Sequence, residues 1–147
     1  MGMFEKSREY FLAILQYMRG LCPPEDPLLG AFTGTQSSAF SNKFYAVGVT
    51  SYWLVLQPLN RKQQPEGAPI WLRPTDITGA TLWGEGGGFR EWLATNSEFQ
   101  LRFTTTSGDK YKIMALGGWS MAKMLGQEYI DGLEHVAAWL QRASAGA

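Results

Sequence analysis

Phe4, Phe11, Leu15 and Met18 recur at spacings of seven, four and three, with Leu12 and Ile14 beside them. One face of residues 3–19 is therefore apolar at helical period, which predicts an amphipathic N-terminal helix that Gly20 ends. The next segment, Leu21 to Pro27, holds three prolines and two acids. That composition extends the backbone and blocks helix continuation, so it reads as a linker.

From Leu28 the pattern changes to short β-favouring runs punctuated by Gly, Pro, Ser and Asn, as in antiparallel sheets. Seven strands are expected: Leu28 to Gln36, Lys43 to Val49, Tyr52 to Leu59, Pro69 to Arg73, Asp76 to Trp83, Glu98 to Thr105 and Lys110 to Leu116. Trp53, Leu54, Val55 and Leu56 leave the third strand little polar face, which predicts cover on both sides. Thr106, Ser107, Gly108 and Asp109 mark a tight hairpin, because glycine supplies the positive φ that such a turn needs.

After Gly117 and Gly118 the helical period returns. Ile130, Leu133, Val136 or Ala137, and Leu140 line one stripe, which Met121, Met124 and Leu125 extend toward the N-terminus, while Asp131, Glu134, His135 and Arg142 lie opposite. The fold class is mainly β (α+β): a seven-stranded antiparallel sandwich or barrel capped by a C-terminal helix, with an extra N-terminal helix. The expected division is 1–27 for the helix and linker, 28–142 for the domain, and 143–147 for a frayed tail.

A chain of 147 residues can bury enough surface to fold without disulfides or metal, and its six tryptophans within a 14% aromatic share argue against disorder. Thirteen basic residues balance thirteen acidic ones, without the cationic surplus that a nucleic-acid binder uses against phosphates. No signal peptide and no run of the length a membrane span needs is evident, so cytoplasmic residence is the default expectation. Cys22, the single cysteine, excludes an intramolecular disulfide and a cysteine metal cluster, and with no basic residue nearer than Arg19 it reads as a spectator thiol.

Gly48, Val49 and Thr50 before the Leu54 and Val55 strand, Asp76 and Ile77 opening the fifth strand, Leu101, Phe103, Gly108 and Tyr111 in the hairpin, and Leu133 with Trp139 in the last helix form a pattern. It resembles the bacterial pleckstrin-homology-like domains from about Leu28 to Arg142. The resemblance implies a β-sandwich closed by the C-terminal helix and a binding rather than catalytic role. Members that bind phosphoinositides are similar to one another in a basic cluster on the first two strands. Residues 34–46 offer Lys43 alone, so that activity is not carried over.

No catalytic constellation is expected. His135, the sole histidine, sits beside Glu134 and four residues after Asp131 on the polar helix face, where it reads as a surface residue rather than a general base. The run Gly84 to Gly88 lacks the Gly-Lys-Ser/Thr ending of a phosphate loop, and Phe89 stands where a dinucleotide turn needs glycine, so no nucleotide, metal or other cofactor is expected. Phe89 and Trp92, with Leu93, have the spacing of a short amphipathic turn that either plugs the sheet or anchors a partner.

Lys43, Arg61, Lys62 and Lys110 form the remaining candidate binding site. In a meander the first-to-second and third-to-fourth connections share an end, which brings Lys43 near Arg61 and Lys62, and the resemblance implies that Lys110 joins them. Glu66 and Asp109 dilute this cationic rim. The function expected is a binding or assembly module, with a protein partner or self-association through the N-terminal helix. A lipocalin-like carrier, whose interior Trp53, Trp71 and Trp83 would line, and a weak binder of anionic lipid or anions at the rim are the alternatives.

Overall fold

In the computed structural model, which describes residues 3–82, 99–115 and 118–145, helix α1 spans Met3–Leu21. Seven strands follow: β1 Gly30–Ser37, β2 Asn42–Val49, β3 Leu54–Leu59, β4 Ile70–Leu72, β5 Ile77–Leu82, β6 Phe99–Thr105 and β7 Lys110–Ala115. Helices α2 (Gly118–Leu125) and α3 (Gln127–Ala145) complete the order. All strands join one antiparallel sheet, β4-β3-β2-β1-β7-β6-β5, so the expected seven-stranded α+β architecture is the one found.

Strand alternation sends Phe32, Tyr45, Val47, Val49, Leu54, Leu56, Leu101, Phe103 and Ile113 to the inner face, where all are buried. The sheet is curled tightly enough at β1 for side chains of the strands on either side of it to meet. Tyr45 of β2 and Tyr111 of β7 lie edge to face with ring centroids 6.3 Å apart, and Tyr111 stacks on Phe103 at 5.0 Å. At the seam, β1 and β7 share one register pair, Thr35 with Met114. Beyond it the Gln36 side chain substitutes for the ladder, its Oε1 accepting the Lys112 backbone N–H at 2.7 Å.

Helix α3 closes the curled sheet with the predicted stripe: Ile130, Leu133, Val136, Ala137 and Leu140 are buried, while Asp131, Glu134, His135 and Arg142 are exposed. Two polar bonds fix its placement. The Tyr129 hydroxyl donates to the Thr33 carbonyl at 2.7 Å, and Trp139 Nε1–H donates to the Tyr52 carbonyl at 3.1 Å. Burial holds the Tyr129 phenol well above its ordinary pKa, so it remains a donor. The stripe also outlasts the expected domain end: Ala143, three residues past Leu140, is buried in a helix that continues to Ala145 rather than fraying. The helical region does not start as one piece, because Gly126 takes φ +106° and separates α2 from α3.

Helix α1 packs on its own sheet. Ile14 and Met18 cover the outer face of β2 and β3, meeting Ala46, Val55 and Leu59, with Phe44, Trp53 and Trp71 at the margin. Phe11 and Leu15 reach the main core, where Phe11 meets Tyr129 edge to face at 4.9 Å. Burying each of these four side chains contributes about 1.5–3 kcal/mol, which works against the entropy lost in ordering the linker. The helix runs through Gly20 to Leu21, since Leu21 packs against the same cluster. This arrangement explains why β3 has little polar face: Leu54 and Leu56 point to the core, Val55 points to α1, and its polar side chain, Gln57, is buried.

The linker is fastened by Asp26, whose carboxylate accepts from Thr50 Oγ1 at 2.7 Å, Ser51 Oγ at 2.6 Å and the Ser51 backbone N–H at 3.1 Å. The Ser51 and then the Thr50 side-chain bonds lower its pKa below the ordinary carboxylate value. A carboxylate whose folded pKa is depressed stabilises the fold above its unfolded pKa, about 3.9, and loses that contribution as pH falls through the folded value. Urea titrations are therefore expected to show Asp26→Asn less stable than wild type at pH 7, with the gap closing below pH ~4. A gap independent of pH would show that the latch does not depend on charge.

Candidate functional site

The β1–β2 connection is a hairpin tip closed by serine hydrogen bonds. Ser38 donates its backbone N–H to the Ser41 carbonyl at 2.9 Å, and its hydroxyl donates to the same oxygen at 2.9 Å while accepting the Ser41 N–H at 3.1 Å. These bonds tie the base of the turn and leave Ala39 and Phe40 at its apex. Phe40 is 100% exposed, which no other large apolar side chain among the described residues approaches.

The β3–β4 loop beside it is also built by local polar bonds. Asn60 Oδ1 accepts the backbone N–H groups of Lys62 at 2.9 Å and Gln64 at 3.0 Å, and Gln63 adopts the left-handed φ of 60°. An asparagine that captures amides two and four residues on forms a tight turn, here closed at its base by an antiparallel bridge between Leu59 and Pro65. Arg61 and Lys62 stand exposed at its apex. Arg61 and Phe44 border a shallow open depression of about 530 Å³ with Ser38 to Asn42 of the hairpin, so the two loops share an end as the meander requires.

The four predicted cations do not form one cluster. Phe44 lies on the Arg61 side of β2, and strand alternation places Lys43 on the opposite face, where its register partner is Gln36. Lys110 lines a separate open groove of about 670 Å³, together with Arg102, Lys112, Gly79, Thr81, Thr104 and the end of β1 at Gln36 to Ser38. The hairpin thus divides the rim in two, and Ser38 borders both parts. Arg102 and Lys112 join Lys110 in this groove, and their polar i, i+2 pattern with Thr104 and Lys110 is visible in the sequence. Phe89, Trp92 and Trp83 lie outside the described residues.

Among the described residues the one ion pair joins Arg73 to Asp76 at 3.1 Å, and neither residue lines the two rim depressions. Asp109 does not contact a rim cation; it accepts the Ser107 hydroxyl at 3.0 Å, and Glu66 is exposed. Cys22 is half-buried with its thiol directed at the Met18 carbonyl at 3.5 Å, and burial followed by the Asp26 charge raises its pKa, which disfavours the reactive thiolate. Trp53 and Trp71 pack edge to face at 5.9 Å beneath α1 on the outer face, not in the interior that a carrier would line with them.

Fold and site define a seven-stranded antiparallel α+β domain with an aromatic hairpin tip set between two basic patches. No protein-family model matches the chain, and no curated protein sequence matches it. Among solved structures it is similar to the crystal structure of the C-terminal domain of an unknown protein from Leishmania infantum. That likeness has 14% identity and a TM-score of 0.40, and it covers 78% of this chain and 84% of the other. No helix among the described residues is long and apolar enough to cross a membrane.

Proposed function

We propose that the protein is a non-catalytic docking module of pleckstrin-homology-like architecture that rests its β1–β2 hairpin tip on an anionic lipid surface. The observation that carries this reading is the full exposure of Phe40 at a serine-bonded apex between the depression that Arg61 borders on one side and the groove that Lys110 lines on the other. An aromatic ring gains free energy on entering the headgroup boundary, and each nearby cation adds about 1 kcal/mol at an anionic leaflet. Such contacts are individually weak and sum to reversible, salt-sensitive attachment rather than insertion. The strand order and the closing α3 helix support the architecture. Because the apolar face of α1 is spent on its own sheet, the loop end offers the more exposed means of docking than the helix does.

Co-sedimentation with vesicles tests the reading. Wild type is expected to sediment with vesicles containing phosphatidylserine and not with phosphatidylcholine alone. Phe40→Ser should weaken binding about tenfold, a loss of roughly 1.4 kcal/mol, while leaving the melting temperature unchanged because the ring touches no core. Arg61→Glu with Lys62→Glu should weaken it further. Equal sedimentation of Phe40→Ser and wild type would overturn the reading.

A further inference from the structure

The outer face of β5, β6 and β7 carries two cross-strand rows. Gly79, Thr104 and Lys110 are register partners in one, and Thr81, Arg102 and Lys112 in the other. Like charges directly opposite one another destabilise a sheet, yet Arg102 faces Lys112 with no carboxylate bonded to either among the described residues. Among the described residues Arg102 is held by Gln100, whose Oε1 accepts its Nε–H at 3.0 Å. Departures from local electrostatic preference concentrate where a protein keeps a surface for binding.

Lys110 and Lys112 stand two residues apart on one strand, so their stems begin about 6.6–6.8 Å apart. Alternate side chains of any extended peptide have that same spacing. Gln36 to Ser38 form a wall along the rows, pinned to the floor by the bond from Lys112 N–H to Gln36 Oε1. Lys110 and Lys112 follow one another along the strand and Arg102 stands opposite Lys112, so the two lysines match alternate positions of an extended acidic segment and Arg102 adds a second donor beside one of them. We infer that this groove binds an extended acidic segment of a partner protein, with carboxylates at alternate positions meeting Lys110 and Lys112 and one of them taken by the Arg102 fork.

Fluorescence anisotropy with a labelled peptide of alternating Glu and Thr tests this, against a peptide of the same composition with its Glu residues in one block. The alternating peptide is expected to bind about tenfold more tightly at low salt. Lys110→Glu with Lys112→Glu should abolish the preference. Gly79→Val blocks the floor without altering charge, and its fold should persist because an added Cβ meets nothing nearer than Thr104 Oγ1 at 3.8 Å. It should also lose the peptide. Phe40→Ser should bind the peptide as wild type does, which separates this inference from the hairpin-tip reading. Equal binding of the two peptides, or unchanged affinity in Gly79→Val, would overturn it in favour of diffuse attraction. No peptide binding, with anionic-vesicle binding lost in the charge-reversed variant, would overturn it in favour of lipid.

Discussion

Replacing Gly132 by alanine is expected to destabilise the protein by at least about 3 kcal/mol, at the upper end of what overpacking costs. Gly132 lies where α3 crosses β1, and a Cβ there would overlap the Ala31 carbonyl and come within 2.8 Å of the Ala31 nitrogen. From the strand side, a Cβ on Gly30 would meet Gly132 Cα at 2.9 Å. The obstruction is main chain on both sides, so no rotamer change relieves it. Lifting the helix would strain the Tyr129 bond to Thr33 on one side and the Trp139 bond to Tyr52 on the other. Gly20→Ala supplies the control: it is also a helical glycine, but an added Cβ there meets nothing within 4 Å, and propensity alone predicts a gain of roughly 0.5–1 kcal/mol. Urea midpoints for the two variants should therefore move in opposite directions. A Gly132→Ala midpoint equal to wild type would show that helix and strand are not in backbone contact.

The contrast between these glycines marks where sequence reasoning stops. The 3.6-residue stripe through Ile130, Leu133, Val136 and Leu140 places α3 and its buried face, because periodicity is a local property of the chain. Gly132 within that stripe reads as a weak helix former, since its role depends on a strand about a hundred residues earlier. The start of β3 shows the same limit at short range. Tyr52 and Trp53 have strand propensity, but the Thr50 hydroxyl accepts both of their backbone N–H groups, at 3.1 and 2.8 Å, and holds them in a turn until Leu54. Side-chain competition for backbone donors is not visible in an apolar pattern.

The loop end is legible to a similar depth. Antiparallel connectivity puts the β1–β2 and β3–β4 loops together, and Arg61 does border the hairpin. Which face of β2 each cation occupies depends on strand parity and on how the sheet curls past the single Thr35–Met114 pair. Lys43 and Arg61 consequently part company, and Lys110 gains Arg102 and Lys112 as neighbours. Phe40 sits in a segment that reads as a polar loop, and only the serine bonds beneath it establish that its ring faces outward. The cover on the second face of β3 is foreseeable from Val55, whereas the docking of α1 there is a matter of complementary shape that the linear pattern does not encode.

Trp139→Ala is expected to cost about 3–5 kcal/mol, the range for truncating a buried tryptophan. The residue is 2% exposed and belongs to the main cluster, on a helix that packs against β1, β2 and β5. Its ring supplies the apolar filling, and its Nε1–H ties α3 to the β2–β3 turn at Tyr52, the turn that Asp26 also fastens. Alanine removes both contributions, and a shift of about 3–5 kcal/mol corresponds to a fall of the order of 10 °C in melting temperature for a domain of this size. Trp139→Phe separates them, since it keeps most of the buried surface and loses the donor. Its expected cost is roughly 1–2 kcal/mol, comparable to one hydrogen bond plus imperfect refilling. If the two variants melt together far below wild type, the bond to Tyr52 dominates and α3 is held mainly by its end. If phenylalanine restores most of the stability, burial dominates and the bond serves to orient the helix. A melting temperature of Trp139→Ala within a degree or two of wild type would mean that α3 does not close the sheet in solution.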